Sequence, residues 1–184
     1  MRLIPPDLLY AETFKRYVDD YRLAGDTERV SKYEAGATDF PAYVESLRLA
    51  ARGINLPVDK VPYHTFWLVD SDKIVGIVRV RPRPTSKVEL YDGHIGYDVA
   101  PSHRGKGYGT LLLRMALVEA RRLGLSRVIV NCAITNLLSQ RVIERCGGQA
   151  IGEVFDEEKG RITRRYELAT SETGASTLID GFIC

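Results

Sequence analysis

The sequence predicts an α/β (α+β) fold, a mixed central sheet with helices on both faces, and three stretches of different period carry that prediction. The N-terminal third has apolar residues at helical spacing, the middle alternates like paired strands, and the rest switches between strand and helix. From about Asp7 to Ala24, Leu8, Leu9, Phe14, Tyr17, Val18 and Tyr21 mark one helix, which Gly25 stops. A second helix begins near Asp39, a good cap, tolerates Pro41 in its first turn and ends at Gly53. The polar stretch Gly25 to Thr38 between them reads as loop.

His64 to Val69 and Ile74 to Arg81 are rich in β-branched and aromatic residues and flank the turn Asp70-Ser71-Asp72-Lys73, which makes a hairpin. Pro82, Pro84 and Ser86 break it and leave a mobile loop, and His94 to Val99 is the next strand. Gly107 to Leu123 is helical, Arg127 to Cys132 a short apolar strand, and Asn136 to Cys146 a helix stopped by Gly147-Gly148. Ala150 to Phe155 and Arg161 to Leu168 form a closing hairpin. Residues 1–169 are expected to be one domain. The tail 170–184 is expected to be weakly ordered or used in an intermolecular contact, which leaves a homodimer open.

Bulk properties exclude several function classes. A net charge of +2 lacks the strongly basic face of a nucleic-acid binder, and no apolar run is long enough to span a bilayer. The three cysteines, Cys132, Cys146 and Cys184, cannot all pair internally and have no metal-ligand spacing, so a reducing cytoplasm is the expected home and no metal is expected.

The segment Arg104-Gly105-Lys106-Gly107-Tyr108-Gly109-Thr110 lies between a strand and a helix and carries the clearest chemistry. Its glycines let the backbone turn tightly, and the first amides of a helix lack internal partners, so a phosphate placed there gains hydrogen bonds and a favourable dipole. Arg104, Lys106 and His103 add positive charge. A Walker loop needs Ser or Thr directly after Gly-Lys, which is absent. A dinucleotide fold needs G-x-G-x-x-G near the start of a βαβ unit, whereas here the spacing is G-x-G-x-G, late in the chain. A glycine-rich helix start with solvated basic residues is the remaining plain reading.

Taken together, Gly96-Tyr97-Asp98-Val99-Ala100-Pro101, Arg104 to Gly109 and Asn136-Leu137-Leu138-Ser139 resemble the GNAT superfamily of N-acetyltransferases over about Phe66 to Leu168. Arg104, Gly107 and Gly109 fall on the defining positions of its R/Q-x-x-G-x-G/A signature. More closely, His94-Ile95-Gly96-Tyr97, Asn136-x-x-Ser139 and the Gly147-Gly148 ending look like a bacterial branch of predicted acetyltransferases with undefined acceptors.

The resemblance implies a GNAT fold with a splayed parallel strand pair, acetyl-CoA as co-substrate and an amine acceptor. It places the pantetheine arm along Tyr97, Asp98 and Val99, the pyrophosphate on Arg104, Gly105, Lys106, Gly107, Tyr108, Gly109 and Thr110, and further bonds at Asn136 and Ser139. Asn136 also suits a helix cap, and the two roles are compatible.

Direct attack in a ternary complex needs a base, an oxyanion donor and a proton for the departing thiolate. The oxyanion donor is expected to be a backbone N–H near Tyr97 or Asp98. His94 is the expected base because its ordinary pKa of ~6.5 suits proton uptake at neutral pH, with Glu89 and Asp98 as alternatives. The tyrosine that many family members use as acid is replaced by Ile143, so Tyr97, Tyr166, Cys132 or water must substitute. An acyl-Cys132 intermediate competes with Cys132 as core filling, and Phe66 and Trp67 read as core or pocket wall. The acceptor is expected among the N-terminal helices, the Gly25–Thr38 loop and the Pro82–Lys87 loop, with Tyr33, Glu34, Asp39 and His64 in reach. A non-catalytic CoA-binding or sensing module is the alternative function, and a structural protein with an incidental glycine loop is a third.

Overall fold

The computed structural model describes residues 1–170. Seven strands and six α-helices occur in the order β1 (Arg2–Ile4), α1 (Ala11–Leu23), α2 (Thr27–Thr38), α3 (Phe40–Ala51), β2 (His64–Asp70), β3 (Lys73–Val80), α4 (Ser86–Tyr91), β4 (Ile95–Val99), α5 (Tyr108–Arg122), β5 (Arg127–Ala133), α6 (Leu137–Arg145), β6 (Gln149–Asp156) and β7 (Arg161–Ala169). The expected tail lies outside the described residues, apart from Thr170. Two antiparallel sheets result, ordered β1-β2-β3-β4 and β5-β7-β6.

Strands β2 and β3 are apolar on both faces because both faces are covered. Trp67, Val69, Ile74 and Ile77 pack under α1–α3, while Leu68, Val75, Val78 and Val80 pack under α5 and α6. The first layer is aromatic: Phe14 has ring centroids of Tyr43, Phe40 and Trp67 at 5.0, 5.4 and 5.5 Å. Tilted and edge-on pairs at these separations add to area burial.

Three elements differ from the sequence expectation. The stretch read as a loop between Gly25 and Thr38 is the helix α2: Gly25, at φ +69°, ends α1, and the Asp26 carboxylate then caps α2 through the Arg29 N–H at 3.1 Å. Only Tyr33 and Gly36 of that helix are buried, so its apolar stripe is too thin to show in the sequence. Gly36 looks like a helix breaker, yet a Cβ there would lie 2.5 Å from Phe14 and 2.6 Å from Tyr43, so it is where α2 comes closest to the aromatic layer. Strand β1 is three residues ahead of Pro5-Pro6, too short for a period. The Pro82–Lys87 loop gives way to α4, capped by Thr85 Oγ1.

The two sheets meet at β4 and β5 and then part. An isolated bridge joins Gly93 to Val130, and the His94 N–H donates to Ile129 O at 2.7 Å. Gly93 has φ +71°, and a Cβ on it would lie 2.6 Å from Ile129 O, so only glycine lets the backbones touch there. Beyond this bridge no ladder joins β4 to β5, and a cleft lies along the free edge of β4.

Candidate active site

The cleft has a volume of about 430 Å³. Its wall includes Tyr97, Asp98 and Val99 of β4, Arg104, Gly105, Gly107, Gly109 and Thr110 of the loop and α5, and Asn136 and Ser139 of α6. Thus ten sequence-predicted positions from three separate segments share one surface. Lys106 and Tyr108 are not on it, and the Tyr108 hydroxyl instead donates to Asp70 Oδ2 at 2.6 Å, beside the β2–β3 turn. The loop zigzags, so alternate residues face away.

Local chain geometry explains the loop. Gly105 and Gly107 adopt φ +77° and +83°, and Gly107 N-caps α5 without any side-chain acceptor. The first α5 amides are therefore free of intrahelical partners and open onto the cleft beside Gly109 and Thr110. Space is not what requires glycine at 105 and 107, since a Cβ at either meets nothing within 4 Å; backbone conformation is. Arg104 is held by Nε donating to Val99 O at 3.1 Å and by an ion pair to Asp26 at 3.6 Å.

The sequence reading missed Asp26, Arg29, Leu138, Arg141, Val142 and Arg145 on the cleft wall. Four of these lie on α6 at positions 138, 141, 142 and 145, which is the helical face starting from Asn136, so spacing alone could have found them. Arg29, Arg104, Arg141 and Arg145 give the cleft a cationic rim suited to a polyanion. Asn136 Oδ1 caps α6 by accepting the Ser139 N–H at 3.1 Å, which leaves its amide NH2 as the donor available to a ligand.

Strand β4 offers backbone groups to the gap. Ala100 N–H bonds Val75 O at 3.0 Å and Arg81 N–H bonds His94 O at 2.8 Å. Alternation of the antiparallel ladder then sends the Gly96 and Asp98 amides toward β3 and the Ile95, Tyr97 and Val99 amides toward the gap. Of the two oxyanion donors expected, the Tyr97 N–H is the one on the correct side.

The Tyr97 hydroxyl lies 2.8 Å from Ser139 Oγ, and burial raises its pKa well above the ordinary value, so it stays protonated at neutral pH. Cys132 sits in the core beside it, and burial pushes its thiol up to about 11, which opposes a nucleophilic role. Ile143, at the family's usual tyrosine position, is fully buried in the core.

His94, the expected base, lies outside the cleft wall. Its Nδ1 accepts the Ile129 N–H at 3.1 Å, which puts the proton of the neutral ring on Nε2, 3.9 Å from Glu89 Oε2. Burial also lowers its pKa, against the opposing charge of Glu89. The ring closes the hinge between the sheets. Asp98 is a poor base. Burial alone would raise its carboxyl, but Lys32, the Tyr33 hydroxyl at 2.6 Å and Arg29 Nε at 3.3 Å hold it at about 2. It fastens α2 to β4.

The residues expected near the acceptor serve other ends. Tyr33 is buried against Asp98, Glu34 pairs with Arg22 at 2.8 Å, and Asp39 caps α3 through the Ala42 N–H at 3.1 Å. Among the described residues no group of three or more His, Cys, Asp or Glu could hold a metal, and no helix is long and apolar enough to cross a membrane.

Known proteins agree with this architecture. Residues 12–149 match the family described as Acetyltransferase (GNAT) domain. A search of curated proteins returns no match. Among solved structures, the microcin C7 self-immunity acetyltransferase MccE, in complex with acetyl-CoA and AMP, is 18% identical, with 91% of each chain covered and a TM-score of 0.66. A spermidine N-acetyltransferase SpeG chimera from Vibrio cholerae and hSSAT is 16% identical over 96% of this chain and 99% of that one, with a TM-score of 0.58. At such identities these neighbours show the fold, and the family match covers well over half of the chain. The chain belongs to the GNAT family and is an acetyl-CoA-dependent N-acetyltransferase.

Proposed function

We propose that the protein, folded as one domain over residues 1–169, moves the acetyl group of acetyl-CoA onto a primary amine by direct attack in a ternary complex. The observation that carries the proposal is the cleft beside the free edge of β4 that gathers Tyr97–Val99, residues of the glycine loop, Asn136 and Ser139. In it the free α5 amides and the arginine rim suit the pyrophosphate, and the outward amides of β4 suit the pantetheine amides. The Tyr97 N–H receives the carbonyl oxygen as charge develops on it. The amine nitrogen forms the C–N bond, the C–S bond breaks, and the thiolate takes a proton from the Tyr97 hydroxyl, which Ser139 orients and water replenishes. The amine loses its proton to water. The exposed Ile151, Phe155 and Ile162 of the closing hairpin support the expectation of a homodimer.

Thiol release from acetyl-CoA over an amine panel, run with CoA-dependent melting, tests the proposal. A native-state ligand raises Tm by mass action. Stabilisation with turnover supports transfer, stabilisation without turnover on any amine indicates a non-catalytic CoA module, and no stabilisation removes the donor site as well.

A further inference from the structure

A second cavity of about 240 Å³ lies on the α1–α3 side of the sheet, on the other face from α5 and α6. Leu56, Pro57, Lys60, Val61, Tyr63, Arg79, Arg81, Val88 and Asp92 line it. Arg79 on β3 and Arg81, one residue past its end, are two residues apart along an extended chain and therefore share a face. Arg79 is the cross-strand partner of Gly96 on β4, two residues before Asp98 and one before Tyr97. Directly opposed residues have Cβ positions about 4.5–5.5 Å apart, so the arginine pair stands beside the bare backbone of the strand that flanks the acetyl donor. At Gly96 the nearest atom to a Cβ would be Arg81 Nη1, at 3.7 Å.

Both arginines are half-buried, and neither has a carboxylate partner. No Asp or Glu among the described residues lies within ion-pair distance of either, whereas Asp98 is already engaged by Arg29, Lys32 and Tyr33. Arg79 is stacked between Tyr33 and Tyr63, with its guanidinium carbon 5.9 and 5.3 Å from their ring centroids, and its Nε–H is buried with no partner. The buried Tyr43 hydroxyl lies beside it. The Arg81 side chain donates from Nη1 to Gly93 O at 3.3 Å. Asp92, the carboxylate on the cavity wall, is taken by Lys159 at 3.0 Å. A buried guanidinium N–H without a partner, as at Arg79 Nε, is costly, and a planar fork matches carboxylate and phosphate oxygens.

We infer that this cavity is an anion subsite for the acceptor: the amine to be acetylated carries a carboxylate or phosphate group, which Arg79 and Arg81 hold while the amine reaches the β4 strand. The inference rests on the transfer reading above. The cavity size fits one such group and a short stem.

Matched pairs of acceptors provide the test, each differing in one charge: amino acids against their amides for carboxylate, and phosphoethanolamine against ethanolamine for phosphate, with spermidine as the cationic arm. The anionic member of at least one pair should have a kcat/KM about 10- to 100-fold higher, the range of a charge-assisted bidentate contact. Arg79→Met and Arg81→Met should remove that preference by raising KM for the anionic acceptor, with KM for acetyl-CoA unchanged and partial recovery in Arg81→Lys. Equal or better turnover of the neutral or cationic members overturns the inference, as does an equal loss toward every acceptor. If no amine is acetylated while CoA still raises Tm, the transfer reading fails separately. The Nε–H resonances of Arg79 and Arg81 then decide: a shift with the anionic member alone supports the subsite, and no shift rejects it.

Discussion

The donor cleft and the α1–α3 face of the same sheet are built from opposite materials. The cleft is made of backbone at the ends of elements: positive-φ glycines, unpaired α5 amides and the outward amides of β4. The α1–α3 face is made of side chains that converge from distant segments, with Tyr33, Tyr63, Arg79, Arg81 and Asp98 drawn from α2, the β2 approach, β3 and β4. Backbone sites need particular residues in a short run, so they leave a motif. Side-chain sites need only spatial convergence, so they leave none.

Breaking the α1–α3 face should have the largest effect. Asp98→Asn leaves Lys32 and Arg29 without their carboxylate and should cost about 2–3 kcal/mol, less than a fully buried pair because both cations are partly exposed. For a chain of this length that is a fall in Tm of roughly 4–12 °C by calorimetry. The same charge gives a pH dependence. The folded pKa of about 2 lies below the ordinary 3.8, so the stabilisation is complete above about pH 4 and is lost as pH falls toward 2. It amounts to on the order of 2 kcal/mol in the wild type. The variant should show a flatter acid limb in its Tm–pH curve, and an unchanged limb would mean that Asp98 does not anchor α2.

Breaking the donor cleft should act on binding. Gly107→Val places a β-branched residue at φ +83° and should weaken CoA by roughly 100-fold through displaced helix amides, read by calorimetric titration. Gly25→Ala, at φ +69° but outside the cleft, should lower stability by about 1 kcal/mol and leave CoA affinity alone. If both changed affinity equally, the cleft would have no special claim on its glycines.

The chemical step should respond more weakly. Tyr97→Phe should lower kcat by about 10- to 100-fold with KM for acetyl-CoA unchanged, at the low end of general-acid effects because a thiol is a tolerable leaving group. Wild-type kcat in that variant would return the acid role to water. The smallest effect belongs to His94→Asn: the acid limb of the pH–rate profile should stay where it is, and a flattened limb would restore His94 as the base.

The sequence reading reached the cleft but misjudged what surrounds it, for identifiable reasons. Tyr97, Asp98, Val99, Arg104, Asn136 and Ser139 were legible because a strand end, a glycine turn and a helix start are local events. Arg141 and Arg145 are within reach of helical spacing from Asn136. A histidine at a strand end looks the same in sequence whether or not its Nδ1 is used by a neighbouring strand, so the His94–Ile129 bond is not legible there. Helix α2 was read as loop because one buried tyrosine and one buried glycine do not make a stripe.

The sequence by itself determined the alternation of elements, the phosphate-ready loop with its required glycines, and the loss of the usual tyrosine at Ile143, since all three are properties of short contiguous runs. Only the tertiary structure decided that β4 and β5 are joined by a single bridge at Gly93, that the Tyr97 amide and hydroxyl face the cleft together with Ser139, and that two half-buried arginines lie without carboxylate partners one strand away. Those features depend on which distant backbones touch and which way a ladder alternates, and pairing between strands tens of residues apart is not written in any local period.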